Sequence, residues 1–236
     1  MSTVYIPAID VWLSSYLNQF AGTVPMADRF FVMLTTMPTM KMLPVIVLMY
    51  WLWSRPQAQV RSYLVATTCS AYIAFIVARF CAHLLPFRTR PLHTPEMHWQ
   101  LTTGMAADEA QMWSSFPSDH ATMLGAVVLG LWRIQPAAGV FAAVWGWTFI
   151  LFPRLFVGLH FISDLMAGFL LGMLVCYVVL QAAIRERLWA LSECWIRKAP
   201  GTFYAASFLI MYWLATNGND IRTLLRFIWS ALRSHS

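Results

Sequence analysis

Three short stretches of the chain carry side chains able to hold an anion and move protons. "LPFRTRP" spans residues 85–91, "FPSDH" spans 116–120 ahead of the apolar run "ATMLGAVVLGLW", and "RLFVGLHFISD" spans 154–164. In FPSDH, a helix N-terminus with free backbone N–H groups is a ready anion site, and a histidine beside it can shuttle a proton. Pro-Ser-Asp is also an ordinary helix start, with Ser118 as N-cap and Asp119 in the first turn, so this stretch alone does not decide. In the third stretch, Arg154, His160 and Asp164 follow R-x5-H-x3-D. If helical, His160 and Asp164 share a face, where the carboxylate can hold one imidazole nitrogen and leave the other to attack. Two arginines, Arg90 and Arg154, together with the Ser118 hydroxyl, suit a tetrahedral dianion, because the guanidinium fork matches phosphate oxygens and keeps its charge. Phosphoryl transfer needs mainly positioning and charge stabilisation, and His120 could protonate the leaving oxygen. Ser-His-Asp acyl chemistry would not need the two arginines.

The elements that must position these residues lie in a membrane. Of 236 residues, 59% are hydrophobic and 11% charged, against about 25% charged in a soluble domain. The 12 tryptophans and 14 methionines fit interfacial anchoring and irregular apolar packing. The formal charge of +6 is spread over short turns with no basic run, which argues against nucleic acid as a partner. Cys69, Cys81, Cys176 and Cys194 show no C-x-x-C spacing, so no zinc site or disulfide framework is indicated. The first twenty residues lack a basic segment followed by a clean apolar core, and no cleaved signal is expected.

Spans of about 20 apolar residues are expected, and five stand out: roughly 30–53, 62–85, 120–132, 137–152 and 165–184. The third and fourth are short, so their polar ends should complete the crossing inside the protein. Residues 8–21 read as an amphipathic helix at the interface, with Val11, Trp12, Tyr16 and Phe20 near helical spacing. Residues 203–216 form a sixth span or a docked hairpin, and the basic amphipathic "IRTLLRFIWSALRSHS" closes the chain. Arg55, Arg61, Arg133, Arg185, Arg187, Arg197 and Lys198 fall in alternate connections, which the positive-inside rule makes cytoplasmic. The loop 86–118 and the turn around 153–163 then share the opposite face. The fold class is all-α: a polytopic helical bundle of about five to six membrane helices plus the N-terminal amphipathic helix.

Taken together, the motifs resemble those of the type 2 phosphatidic acid phosphatase (PAP2) superfamily of membrane lipid phosphatases. That signature runs K-x6-R-P, P-S-G-H and S-R-x5-H-x3-D; the chain matches it at Arg90 and Pro91, at Pro117, Ser118 and His120, and at Arg154, His160 and Asp164. The resemblance implies a phosphohistidine at His160, oriented by Asp164, with His120 as general acid and Arg90, Arg154 and Ser118 on the phosphate. Water would release the phosphate in a ping-pong route with no metal and no cofactor. It covers about 30–184 as a catalytic domain, leaving 1–29 as an interfacial segment and 185–236 as a basic connection with membrane-associated helices.

Three positions depart from the signature: His83 stands for its lysine, Asp119 for its glycine and Pro153 for its second serine. His83 could hydrogen-bond phosphate or be a packed helix-end histidine. Asp119 favours the helix start, though it would repel phosphate if turned inward. Pro153 reads as a helix terminus. His93, Glu96, His98, Asp108 and Glu109 read as solvated loop residues, or as a gate for the head group or an ion site; Arg79 reads as a snorkelling side chain or as an intramembrane arginine that needs a partner or a polar cavity, and Gly168 with Gly172 as a close-packing pair. The compact form and FPSDH resemble bacterial carrier-lipid phosphatases, which implies undecaprenyl diphosphate as substrate and an inner-membrane location with the site facing the periplasm. The alternatives are phosphatidate, phosphatidylglycerophosphate or lipid A phosphate as substrate, a phosphotransferase, or a non-catalytic lipid-phosphate binder.

Overall fold

The computed structural model describes residues 6–216, with residues 38–40 described by their backbone alone. The basic C-terminal segment read from the sequence lies outside the described residues. Ten α-helices follow in order: α1 (Ala8–Asn18), α2 (Pro25–Thr36), α3 (Pro38–Trp53), α4 (Ala58–Leu84), α5 (Asp119–Ile134), α6 (Pro136–Gly146), α7 (Phe152–Phe156), α8 (Ile162–Val179), α9 (Ala182–Lys198) and α10 (Pro200–Thr216). A π turn, Trp147–Leu151, joins α6 to α7. The described chain is helical, without strands.

Among the described residues, three helical stretches are long and apolar enough to cross a membrane: Ala58–Leu84, Pro136–Phe156 and Ile162–Val179. The span expected at 30–53 is instead two helices, α2 and α3, bent by 50° and long and apolar enough to cross only as a pair. Proline explains the break. Pro38 pushes its predecessor out of the α region, and Met37 sits at φ −79°, ψ 114°. The fourth expected span is longer than its apolar run, because the helix continues through the π turn to Phe156. Pro153 therefore does not terminate the helix, as expected, but stands at the start of α7. The π register relaxes the ladder where proline supplies no N–H. Helices α5 and α10, at 16 and 17 residues, fall short of that length.

The central helix is α5, packed against α4, α6 and α8. Its ten buried residues run Ala121–Val128 and then Gly130–Leu131, so it is apolar nearly all round, as an enclosed helix must be. Backbone contact binds it to α8. A Cβ added at Gly172 would lie 1.8 Å from the Thr122 carbonyl oxygen, and one at Gly125 would lie 2.0 Å from that of Phe169. The small residues at 168 and 172 thus let two backbones touch.

Helix α1 is amphipathic with its polar face turned inward. Asp10 and Ser14 are fully buried and Asn18 nearly so, whereas Ile9, Trp12 and Tyr16 are exposed. That orientation is stable only where the outer surroundings are apolar. Asn18 also clamps the long loop by reciprocal 2.8 Å hydrogen bonds with the backbone of Gln100.

The end of α4, the start of α5, the end of α7 and the start of α8 meet at one end of the bundle. At the other end Arg55 donates to Gln135, Arg61 donates to the Trp53 carbonyl, and Arg185 lies over Tyr63. The separation follows from antiparallel neighbours: loops alternate between the two ends.

Candidate active site

His160 sits in the turn between α7 and α8. The turn is closed by Gly158, whose φ of +79° suits glycine, and Trp99 packs so closely that a Cβ there would lie 2.6 Å from its ring. The Leu159 and His160 amides both donate to the Arg154 carbonyl, which ties the histidine to the end of the preceding helix.

The tautomer of His160 follows from its partners. Nδ1 is 2.9 Å from the Ser115 carbonyl oxygen, which can only accept, so Nδ1 carries the proton and Nε2 the lone pair. Asp164 Oδ2 stands 3.6 Å from the same Nδ1, an electrostatic partner beyond hydrogen-bond distance. The Nε2 lone pair faces two donors, Arg90 Nη1 at 3.4 Å and Ser118 Oγ at 3.5 Å. A phosphoryl group on that nitrogen would place its oxygens among these donors. Desolvation, reinforced by the charge of Arg90 and opposed by Asp164, holds the His160 imidazole below its ordinary 6.5.

Asp164 is fully buried and tightly used. Its Oδ2 accepts the Phe161 amide at 2.8 Å, and its Oδ1 accepts Arg88 Nη1 at 2.5 Å. Arg88 also donates to Ser163 Oγ at 2.8 Å and, through Nη2, to Asp10 Oδ2 at 2.6 Å. Asp10 in turn accepts the Ser163 amide at 2.9 Å. A buried chain of charge, Asp10–Arg88–Asp164, therefore stands behind His160 and reaches α1. The motif reading selected neither Arg88 nor Asp10. Two signals were available: Arg88 shares the parity of Arg90 in an extended stretch, and Asp10, Ser14 and Asn18 recur every four residues.

Ser118 caps α5, its Oγ 3.5 Å from the Ala121 amide, and Thr122 Oγ1 donates to its carbonyl at 2.7 Å. Asp119 does more than favour the helix start. Its Oδ1 accepts His120 Nδ1 at 2.7 Å while Oδ2 lies 3.8 Å from Arg79. Asp119 thus holds the His120 ring through Nδ1. Arg79 stacks on Trp113, its guanidinium carbon 4.2 Å from the ring centre.

In front of these groups opens a cavity of about 510 Å³, within the usual range for small-molecule sites. Lys41, Arg79, Arg90, His120, Arg154 and His160 line it, and Asp108 and Glu109 of the long loop border it. Arg90 is anchored by the Leu159 carbonyl at 2.5 Å and the Ala110 carbonyl at 3.2 Å; burial lowers its pKa from the ordinary value, against the raising fields of Asp119 and Asp164. Arg154 is anchored by the Ile150 carbonyl at 2.6 Å. Ser118 and Asp164 stand behind the wall.

Of the eight residues selected from the motifs, the fold gathers seven: Arg90, Ser118, Asp119, His120, Arg154, His160 and Asp164. It does not bring in His83, which is exposed near the end of α4 and absent from the cavity wall. The cation that α4 contributes is Arg79, one turn earlier, and α3 adds Lys41. His93 hydrogen-bonds the Glu109 carbonyl at 2.9 Å and so braces the loop at the cavity rim.

Comparison with curated proteins and with solved structures finds no match. A family model described as the PAP2 superfamily matches residues 59–187, more than half of the chain and the stretch that carries every motif position above. The chain belongs to the PAP2 superfamily, whose members are phosphatases.

Proposed function

We propose that this protein is an integral membrane lipid phosphatase that cleaves a polyprenyl diphosphate such as undecaprenyl diphosphate to the monophosphate, without a metal. The observation that carries the reading is the His160 tautomer: Nδ1 is held by the Ser115 carbonyl, and the Nε2 lone pair faces Arg90 and Ser118. A nitrogen so oriented can attack phosphorus while two donors steady the oxygens. As the Nε2–P bond forms, the bond from phosphorus to the bridging oxygen breaks, and His120 gives that oxygen its proton. His120 then takes a proton from water, whose oxygen displaces Nε2 and releases phosphate.

The lipid part of the reading is supported by the cavity mouth. Met112 and Trp113 border it and are exposed, and Ile76, Phe80 and Leu84 form an exposed apolar stripe on α4. A prenyl tail lying along this stripe in the bilayer would bring its head group to Arg79. The clustering of Arg55, Arg61 and Arg185 at the far end of the bundle supports placing the site on the periplasmic side of a bacterial inner membrane.

The test is phosphate release by the detergent-purified chain in EDTA, on undecaprenyl diphosphate and phosphatidate, comparing wild type with His160→Ala. Release that persists in EDTA, vanishes with the substitution and favours the diphosphate is expected. Activity retained by His160→Ala would refute the phosphohistidine route, and preference for phosphatidate would refute the substrate.

A further inference from the structure

Asp10 lies outside the residues matched by the family, 59–187, and outside every motif, yet α1 buries it completely. Its partners are all donors: Arg88 Nη2 at 2.6 Å, the Ser163 amide at 2.9 Å and the Ser163 hydroxyl. A carboxyl group that only accepts is held as the carboxylate. Asp164 is held in the same form, taking Arg88 Nη1 on Oδ1 and the Phe161 amide on Oδ2. Among the described residues, Arg88 is the arginine or lysine that pairs with these two carboxylates. Two negative groups thus share one guanidinium, and the buried set carries a net negative charge.

Net charge away from water calls for a counter-charge. The His160 ring is placed to supply one, with Nδ1 at 3.6 Å from Asp164 Oδ2. In the resting site the ring is neutral, its proton on Nδ1 and its lone pair on Nε2. Attack turns that lone pair into the bond to phosphorus, while the electron pair of the broken phosphorus–oxygen bond leaves with the lipid oxygen. The Nδ1 proton stays, because the Ser115 carbonyl is no base, so the ring becomes a positively charged phosphoimidazolium. Arg90, at 3.4 Å from Nε2, opposes that charge. Asp164 favours it, but Arg88 alone would match Asp164 one to one and leave a neutral pair behind the ring. Asp10, drawing on the other arm of the guanidinium, keeps the set anionic.

We propose that Asp10 is a positioning residue for phosphoryl transfer: its buried charge, relayed through Arg88 and Asp164, stabilises the cationic phosphohistidine. Helix α1 then serves the chemistry without touching substrate. This assignment rests on the phosphohistidine reading above and deepens it. The two half-reactions feel the charge in opposite senses. Attack creates the ring cation and is favoured. Hydrolysis, in which the water oxygen displaces Nε2 and the bonding pair returns to the ring, removes the cation and gains nothing from it.

The experiment follows single turnovers of farnesyl diphosphate radiolabelled in its terminal phosphate, in detergent and quenched with base, so that formation and hydrolysis of labelled protein are timed separately. Asp10→Asn and Asp10→Ser, which both remove the charge, are expected to slow formation by about 3–30-fold and to leave hydrolysis unchanged or faster. Asp10→Glu should restore most of the formation rate. Asn18→Ala, which releases the clamp between α1 and Gln100 and shares no partner with Asp10, should keep both rates within about twofold. Equal slowing of both half-reactions without the charge, an unchanged rate of formation, or an equal loss in Asn18→Ala would overturn the proposal and leave the phosphatase reading intact. Absence of labelled protein in wild type, or its presence in His160→Ala, would instead overturn the phosphohistidine reading itself.

Discussion

Replacing Arg88 by methionine removes the one cation placed between Asp10 and Asp164, both fully buried. Methionine fills much of the volume, so the loss is electrostatic rather than a cavity. Breaking a buried pair by removing one partner costs about 3–5 kcal/mol, and at 2–4 °C per kcal/mol for a chain of this size that lowers the apparent Tm in detergent by roughly 6–20 °C. Asp10→Asn is milder, about 1.5–3 kcal/mol, because Arg88 keeps Asp164 at 2.5 Å. In the double variant no carboxylate is stranded at position 10, so the effects fall short of additive by about 1–3 kcal/mol. A functional readout separates positioning from bulk stability. Loss of Arg88 frees Asp164 behind His160, and misplacement there of about 1 Å lowers kcat about 10²-fold, whereas Asp10→Asn has the smaller effect. Thermal unfolding and phosphate release on the four proteins complete the cycle. Strict additivity together with unchanged kcat in Arg88→Met would refute the coupling of α1 to the catalytic turn.

The pH profile carries a second prediction. Because His160 is held below 6.5 in the folded chain, its imidazole stays unprotonated as pH falls through that value, and the acidic limb of kcat/KM should lie below it. A depressed histidine pKa also means that the unfolded chain binds the proton more tightly, so stability contributed by neutral His160 is present above 6.5 and lost on further acidification; an acidic limb above 6.5 would contradict both. Gly172→Ala is expected to drive α5 from α8, since its Cβ would meet the Thr122 carbonyl; a loss of about 1–3 kcal/mol or more is expected. Gly201→Ala, with nothing within 4 Å, should be neutral or stabilising by up to about 1 kcal/mol, and equal melting of the two variants would sink the packing argument. His83→Ala should change kcat/KM less than about twofold at any pH from 5 to 8, surface substitutions of this kind being nearly silent. A selective loss at acidic pH would restore His83 to the phosphate site.

Much of the site is legible in the sequence because its motifs are local. R-x5-H-x3-D, P-S-x-H and R-P each fall at a helix boundary, and alternating apolar runs send all three boundaries to one end of the bundle. Chemistry of this type needs particular side chains at fixed short spacings, and such spacings survive in one dimension. What the sequence did not reveal depends on how far each helix runs and which way it turns. The signature's first position falls on His83, but α4 continues to Leu84 and carries that residue out past the cavity, so Arg79 faces inward instead. Asp119, a helix-start residue in the sequence, becomes the partner of His120 only because Arg79 arrives from α4 to share its charge. Pro153, which reads as a stop, is absorbed by a π turn.

The sequence by itself determined the membrane class, the helical architecture and seven of the residues that the fold gathers at one end of the bundle, because hydropathy and motif spacing are properties of contiguous chain. Only the tertiary structure decided that Asp10, 78 residues from Arg88, completes a buried charge chain behind Asp164, and that Lys41 joins the cavity from a bent helix. Both follow from long-range packing that closes charges away from water, where a lone ion is too costly to remain and must find its partner across the fold.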